Sequence, residues 1–279
     1  MAESPLLDKP RLRAAFDQAA EGYDEVAVLQ REVGERIMQR LELIRLQPQT
    51  ILDLGAGTGV FSLALERRYR QARVIALDLA PRMLAVARRR KGWFSRQRFV
   101  CGDAEALPLT SASVDMIFSN FTLQWCGDLA HTFAECRRVL RPGGLLMFST
   151  LGPDTLQELR QSWAAVDAAA HVHAFSDMHD VGDALLQAGY SDPVMDMEMF
   201  TLTYRDALQL MRELKAIGAH NAASERSAGL TGKGALKKML AAYEGLRRDG
   251  LLPASYEVVY GHAWAPETSP GEVRVAFPS

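Results

Sequence analysis

Apolar residues recur at helical spacing through the first forty-odd positions. Leu29, Val33, Ile37, Leu41 and Ile44 share one face, and Pro48 closes the segment. The texture then changes. Residues 50–54 and 73–77 are short apolar runs, the first entering glycines and the second ending at Asp78. Residues 99–101 end at Gly102-Asp103 and residues 114–119 at Asn120, while residues 145–150 follow a predicted turn at Arg141-Pro142-Gly143-Gly144. Helical periodicity fills 60–69, 81–90 and 129–140 between them. Short apolar strands alternating with helices predict a parallel sheet covered on both faces.

Beyond Thr150 the alternation loosens. Residues 154–170 and 177–188 read as helices, the second closed by Gly189. Residues 194–204 read as a strand with Met195, Met197, Met199, Leu202 and Tyr204 as its apolar members. Helices over 206–217 and 235–248 flank a glycine-rich link at 229–234, and 256–264 is a final strand. No internal repeat interrupts this order. With 279 residues, 48% of them hydrophobic and 24% charged, the chain has the material for a substantial core. A net charge of −2 gives no global reason to expect nucleic-acid binding. Cys101, Cys126 and Cys136 form no Cys-x-x-Cys pair, so neither a disulfide framework nor a metal site is expected. Residues 1–13 lack the apolar core of a signal peptide, and no run of about 18 apolar residues occurs, so the expectation is a cytoplasmic protein with no membrane contact.

Ligands of open parallel sheets bind beyond the carboxyl ends of the strands. Three predicted strands end in acid: Asp53-x-Gly55, Asp78 and Gly102-Asp103. The glycines of Gly55-Ala56-Gly57-Thr58-Gly59 permit a tight strand-to-helix turn that a ligand can approach closely. A dinucleotide fingerprint would need glycine at position 60, where Val60 stands. Asp78 lies 21 residues after Gly57, placed to accept both hydroxyls of a ribose. Asp103 is placed to accept from an adenine amino group, with Ala104 beside it. Any one of these aspartates alone could be a helix cap or a loop charge; three on successive strand ends around this turn point to a nucleoside-bearing ligand.

At these residues the chain resembles the class I methyltransferases, whose first motif is Asp-x-Gly-x-Gly-x-Gly. Gly102-Asp103-Ala104-Glu105-x-Leu107-Pro108 and Arg138-Val139-Leu140-Arg141-Pro142-Gly143-Gly144 carry the likeness further. The resemblance implies an α/β Rossmann-like fold and S-adenosylmethionine as methyl donor. It implies a seven-stranded, mostly parallel sheet with an antiparallel last strand, N-terminal helices and a helical insertion between the last two strands. Asp53 is then expected to orient the positively charged methionine end. Gly55, Gly57, Gly59, Asp78, Leu79, Met83, Asp103, Ala104 and Asn120 complete the expected donor contacts. One domain is expected over 1–279, with a helical segment 1–48 over the donor site, a core 50–204, a helical cap 205–252, a final strand 253–265 and a tail 266–279.

The flanking segments speak to the acceptor. Phe16-Asp17-Gln18-Ala19-Ala20-x-x-Tyr23-Asp24, Ser119-Asn120-Phe121-Thr122-Leu123-Gln124-Trp125-Cys126 and His171-Val172-His173-Ala174-Phe175 stand out, with Leu214-Lys215-Ala216-Ile217-Gly218-Ala219-His220-Asn221 and Gly229-Leu230-Thr231-Gly232-Lys233 in the cap. Over about residues 13–266 these resemble the malonyl-acyl-carrier-protein O-methyltransferases of biotin biosynthesis. The resemblance implies methylation of the free carboxylate of a malonyl thioester, with malonyl-acyl-carrier protein or malonyl-coenzyme A as substrate. A carboxylate titrating near ~4 is ionised at neutral pH and attacks without a general base. Tyr23, Gln124, His171 and Arg160 are the candidates to hold it, although Tyr23 reads equally well as a helix staple and His171 as structural. Trp125 reads as core or pocket wall. Lys237 and Arg248 lie eleven residues apart, close to three helical turns, so they are expected to share one helical face. With Lys238, Arg247, Arg212 and Lys215 they form a candidate docking face for an acidic carrier, or simply a solvated surface. Arg88-Arg89-Arg90-Lys91 reads as an exposed helix end. Two rival readings stay open: a small-molecule carboxylate methyltransferase of the aconitate type, and a methyltransferase-like assembly factor or protein-arginine hydroxylase.

Overall fold

The computed structural model describes residues 8–167, 169, 171–219 and 232–267. His220, Asn221, Leu230, Thr231, residues 1–7 and the tail beyond 267 lie outside them. The N-terminal segment forms three helices, α1 (Lys9–Ala19), α2 (Tyr23–Val26) and α3 (Val28–Arg40), where the periodicity predicts continuous helix. Gly22 and the non-helical Ala27 (ψ 50°) supply the breaks. The α/β core follows as β1 (Thr50–Leu54), α4 (Val60–Arg68), β2 (Arg73–Asp78), α5 (Pro81–Arg90), β3 (Arg98–Cys101), β4 (Val114–Asn120), α6 (Leu129–Val139) and β5 (Leu140–Leu151). Then come α7 (Gln157–Ala164), α8 (Met178–Gln187), β6 (Ser191–Tyr204), α9 (Ala207–Ala216), α10 (Lys233–Glu244) and β7 (Leu252–Trp264).

The seven strands lie in the order β3-β2-β1-β4-β5-β7-β6. β1 to β5 pair in parallel, while β7 runs antiparallel between β5 and β6. α9 and α10 lie between the last two strands in sequence, so the implied topology holds. Period-two alternation sends Ile51, Val74, Met116, Phe118 and Met147 to one face, against α3, α4, α7, α9 and α10. Leu52, Leu54, Ile117, Leu146 and Phe148 go to the other, against α6 and α8. Chain order reverses between β1 and β4, and the crevice at such a switch point is where open α/β sheets take ligands.

Three local departures have visible causes. Arg141 to Gly144, expected as a turn, belong to β5. Gly143 takes φ +74° there, and its N–H donates at 2.8 Å to the carbonyl of Ala265, the residue just after β7. The helix expected from 154 starts only at Gln157, because Leu156 adopts φ +56° and its N–H donates to Ser255 O at 2.6 Å. Asp154 N–H is likewise taken by the Glu257 carboxylate at 2.8 Å. α10 ends at Glu244, which leaves Arg247 and Arg248 in the following turn. No helix of the described residues is long and apolar enough to cross a membrane.

Candidate active site

The carboxyl ends of β1, β2, β3 and β4 open onto a cavity of about 600 Å³. Its floor is the turn after β1. Gly55 and Gly57 line it in left-handed conformations, with φ +73° and +54°. A Cβ at Gly55 would stand 1.9 Å from Thr122 Oγ1, so only glycine fits. Asp78 reaches the cavity at the end of β2. Its two oxygens accept from the N–H groups of Gly57 and Ala80, both at 2.8 Å, which fixes the carboxylate. Burial outweighs these hydrogen bonds and pushes its carboxyl up to about 6. Leu79, Met83 and Ala104 make the apolar wall beside it. Asp103 accepts from Lys9 Nζ at 3.0 Å and from Glu105 N–H at 3.0 Å, so α1 is tied over the end of β3.

The same cavity continues past Asn120 to the second group of expected residues. Asn120 donates to Gln30 O and accepts from Ser149 Oγ, both at 2.8 Å, so its amide is committed to positioning α3 against β4 and β5. Tyr23, at the start of α2, lines the cavity; burial and the charge of Asp78 hold its phenol well above the usual range. Gln124 sits in the short 3-10 turn Leu123–Trp125, and its Oε1 is buried with no hydrogen-bond partner among the described residues. His171 stacks on Trp163 with ring centroids 3.8 Å apart, and its Nε2 lies 2.7 Å from Asp167 Oδ1. His173, bonded to the Gln124 backbone, is held below the ordinary imidazole range by burial and is neutral at neutral pH. Trp125 and Phe175 flank it.

Several expected residues stand elsewhere. Asp53 does not line the cavity: it faces α4 and accepts from Ser62 Oγ. Burial, aided by the charge of Asp78, pushes its carboxyl up to about 7. Gly59 is the α4 cap, packed on Ala87, and is also outside the cavity wall. Arg160 is turned away and donates to Thr155 O at 2.7 Å. Of the docking cations only Lys215 lines the cavity. Arg212, Lys237, Lys238 and Arg248 are exposed, while Arg247 is engaged by Glu244 and the carbonyls of Arg205 and Gly250. Because α10 stops at Glu244, Lys237 and Arg248 do not share a helical face. The Arg88–Lys91 run is more than an exposed end. Arg89 pairs with Glu21 at 2.6 Å, and Arg90 pairs with Asp24 and donates to Thr58 O at 2.8 Å, pinning the N-terminal helices to α5.

The cavity also includes residues that pattern reading does not single out, among them Lys9, Trp163 and Met211. Most are apolar members of helices or strands whose periodicity marks core and pocket wall alike. This end of the cavity thus offers two carboxylates on adjacent strand ends, a glycine floor and an apolar slot, a set that fits a nucleoside with a diol and an exocyclic amine. No cluster of three metal-ligating side chains occurs among the described residues.

Comparison with known proteins agrees with this geometry. The methyltransferase-domain family matches residues 52–148. The chain is 55% identical over 267 residues to the malonyl-[acyl-carrier protein] O-methyltransferase of Gallionella capsiferriformans, covering 94% of this chain and 92% of the relative. To the enzyme of the same name from a Methylovorus species it is 53% identical over 284 residues, covering 99% and 94%. Phosphoethanolamine N-methyltransferase 2 of Haemonchus contortus, solved with S-adenosyl-L-methionine, shares the fold with a TM-score of 0.55 at 20% identity, over 90% of this chain and 57% of that chain.

Proposed function

The chain belongs to the malonyl-[acyl-carrier protein] O-methyltransferases, and from that premise we propose how its cavity carries the reaction. The methyl group of S-adenosylmethionine goes to the free carboxylate of a malonyl group held as a thioester on a carrier protein. The product is a methyl ester for the pimeloyl branch of biotin biosynthesis. Bound S-adenosylmethionine supplies a methyl group on a positively charged sulfur. Asp78 receives the ribose hydroxyls, Asp103 the adenine amino group, and the turn at Gly55 and Gly57 lets the ligand lie against the backbone.

The observation that carries this reading is the composition of the cavity wall. Donor aspartates and neutral polar groups share one cavity; no arginine lines it among the described residues, and of its two lysines Lys9 is paired with Asp103 and Glu105 while Lys215 is exposed. An ionised carboxylate needs no general base. What helps it is orientation and partial removal of water, without a strong ionic clamp that would quench its nucleophilicity. Tyr23, Gln124 and His171 supply side-chain donors for that purpose, and the stacking of His171 on Trp163 holds its ring. Methylation moves no proton, so the neutral imidazole of His173 and the unperturbed role of Asn120 in packing are both consistent with it.

The test is to offer malonyl- and acetyl-carrier protein with methyl-labelled donor. Label is expected on the malonyl form alone. Equal labelling of the acetyl form would show that the free carboxylate is not the nucleophile, and labelling of neither would reject the acceptor.

A further inference from the structure

Among the described residues that line the cavity, only Ala169 and Lys215 are exposed to solvent. Ala169 lies in the segment after α7 and Lys215 in the last turn of α9, and at these two the cavity wall meets solvent. The lining residues beside them in sequence are mostly apolar or aromatic. Trp163, His171 and Val172 come from α7 and the segment after it, and Met211, Leu214 and Ile217 from α9 and the residue that caps it. Met211, Leu214 and Lys215 stand at i, i+3 and i+4 on α9, so one helix face carries both the apolar wall and the cation at its rim. Arg212, one turn before Lys215, is exposed on the same helix. The other lysine of the cavity wall, Lys9, is engaged by Asp103 and Glu105 at the donor end.

We propose that this channel is the subsite for the thioester arm of the acceptor and that Lys215 receives the phosphate at the arm's outer end. The proposal rests on the malonyl-thioester reading above. An acyl group on a carrier protein or on coenzyme A hangs from a long, neutral amide arm whose far end is a phosphate ester. A neutral arm passes an apolar channel without desolvating a charge, whereas a phosphate would have to stay at the rim. An ammonium at the rim meets it there as a point charge, and the phosphate is common to both sources of the arm. Specificity for a phosphorylated arm is thereby separated from the carboxylate end, which the side-chain donors of Tyr23, Gln124 and His171 orient.

The experiment compares kcat/KM for malonyl-pantetheine, which lacks the phosphate, with malonyl-phosphopantetheine, malonyl-coenzyme A and malonyl-carrier protein. The wild-type protein is expected to prefer malonyl-phosphopantetheine over malonyl-pantetheine by about tenfold, the scale of one charge-assisted contact. In Lys215→Gln that ratio should fall toward one, and in Lys215→Arg it should return. A wild-type ratio near one overturns the proposal without any variant, as does a Lys215→Gln ratio equal to that of the wild type. Donor binding measured on each variant identifies misfolded protein. Failure to methylate any malonyl acceptor would instead reject the function on which the proposal rests. A Lys215 effect confined to the carrier-protein substrate, with the small arms unaffected, would place the lysine on the protein–protein interface and also overturn the arm assignment.

Discussion

Asp78 offers the sharpest quantitative test, because two of its properties pull in opposite directions. Its oxygens accept from Gly57 and Ala80 N–H at 2.8 Å, and each has a further lone pair for a ribose hydroxyl. Burial meanwhile raises its carboxyl to about 6, so the donor-free protein increasingly holds it protonated as pH falls below that value. Asp78→Asn replaces one acceptor with an NH2 group. Loss of a hydrogen bond to a charged group costs about 1.5–3 kcal/mol, or roughly ten- to a hundredfold in Kd. That penalty applies at pH 8, where the wild-type carboxyl is ionised. At pH 5 only about a tenth of wild-type molecules carry the carboxylate, and apparent affinity falls about tenfold with that fraction. The asparagine does not titrate. Calorimetric titration with S-adenosylhomocysteine should therefore show a wide gap between the two proteins at pH 8 that closes by about tenfold at pH 5. Parallel curves with a constant gap would refute the titration of Asp78 in this range. Equal affinities at pH 8 would remove Asp78 from the ribose site altogether.

Three further variants bear on other parts of the site. Asp53 titrates at about 7 in the fold against 3.8 in a free chain, so the folded state binds more protons between those values and wild-type stability falls as pH rises from about 4 to about 7. Asp53→Asn should consequently melt higher than wild type at pH 8 in scanning calorimetry, with the advantage shrinking at pH 5; an advantage larger at pH 5 would contradict the sign. Gly55→Ala combines a left-handed φ of +73° with a Cβ 1.9 Å from Thr122 Oγ1. It should cost about 2–4 kcal/mol and lower Tm by roughly 5–10 °C, and an unchanged melting curve would mean that the turn yields freely. Arg160→Ala removes one hydrogen bond to Thr155 O, worth about 1 kcal/mol, and should leave kcat/KM for the malonyl acceptor within about twofold. A hundredfold loss would make Arg160 a carboxylate ligand after all.

What was legible in the sequence follows from how direction is set. A residue at a parallel-strand end points along a course fixed by the sheet, so Asp78 and Asp103 could be placed in the cavity from position alone. The glycine motif assigns Asp53 to the same cavity, whereas the alternation Ile51, Leu52, Asp53, Leu54 puts it on the face opposite Leu52 and Leu54, toward Ser62 of α4. That signal was present and outweighed by the motif. Helical residues gave less warning, because their direction depends on where the helix begins. The positive φ of Leu156 and the late start of α7 turn Arg160 away from the cavity, and the early end of α10 removes Arg248 from the face of Lys237. On α9, Arg212 and Lys215 are equivalent in sequence, and only packing puts the second into the cavity wall. The donor end is thus written locally, in one turn and two strand ends. The acceptor end proposed above would draw on α2, α7, α9 and the 3-10 turn after β4, whose apolar residues carry the same periodicity whether they face core or cavity. Variation confined to those helices can therefore redirect the methyl group while the glycine turn and its aspartates stay as they are.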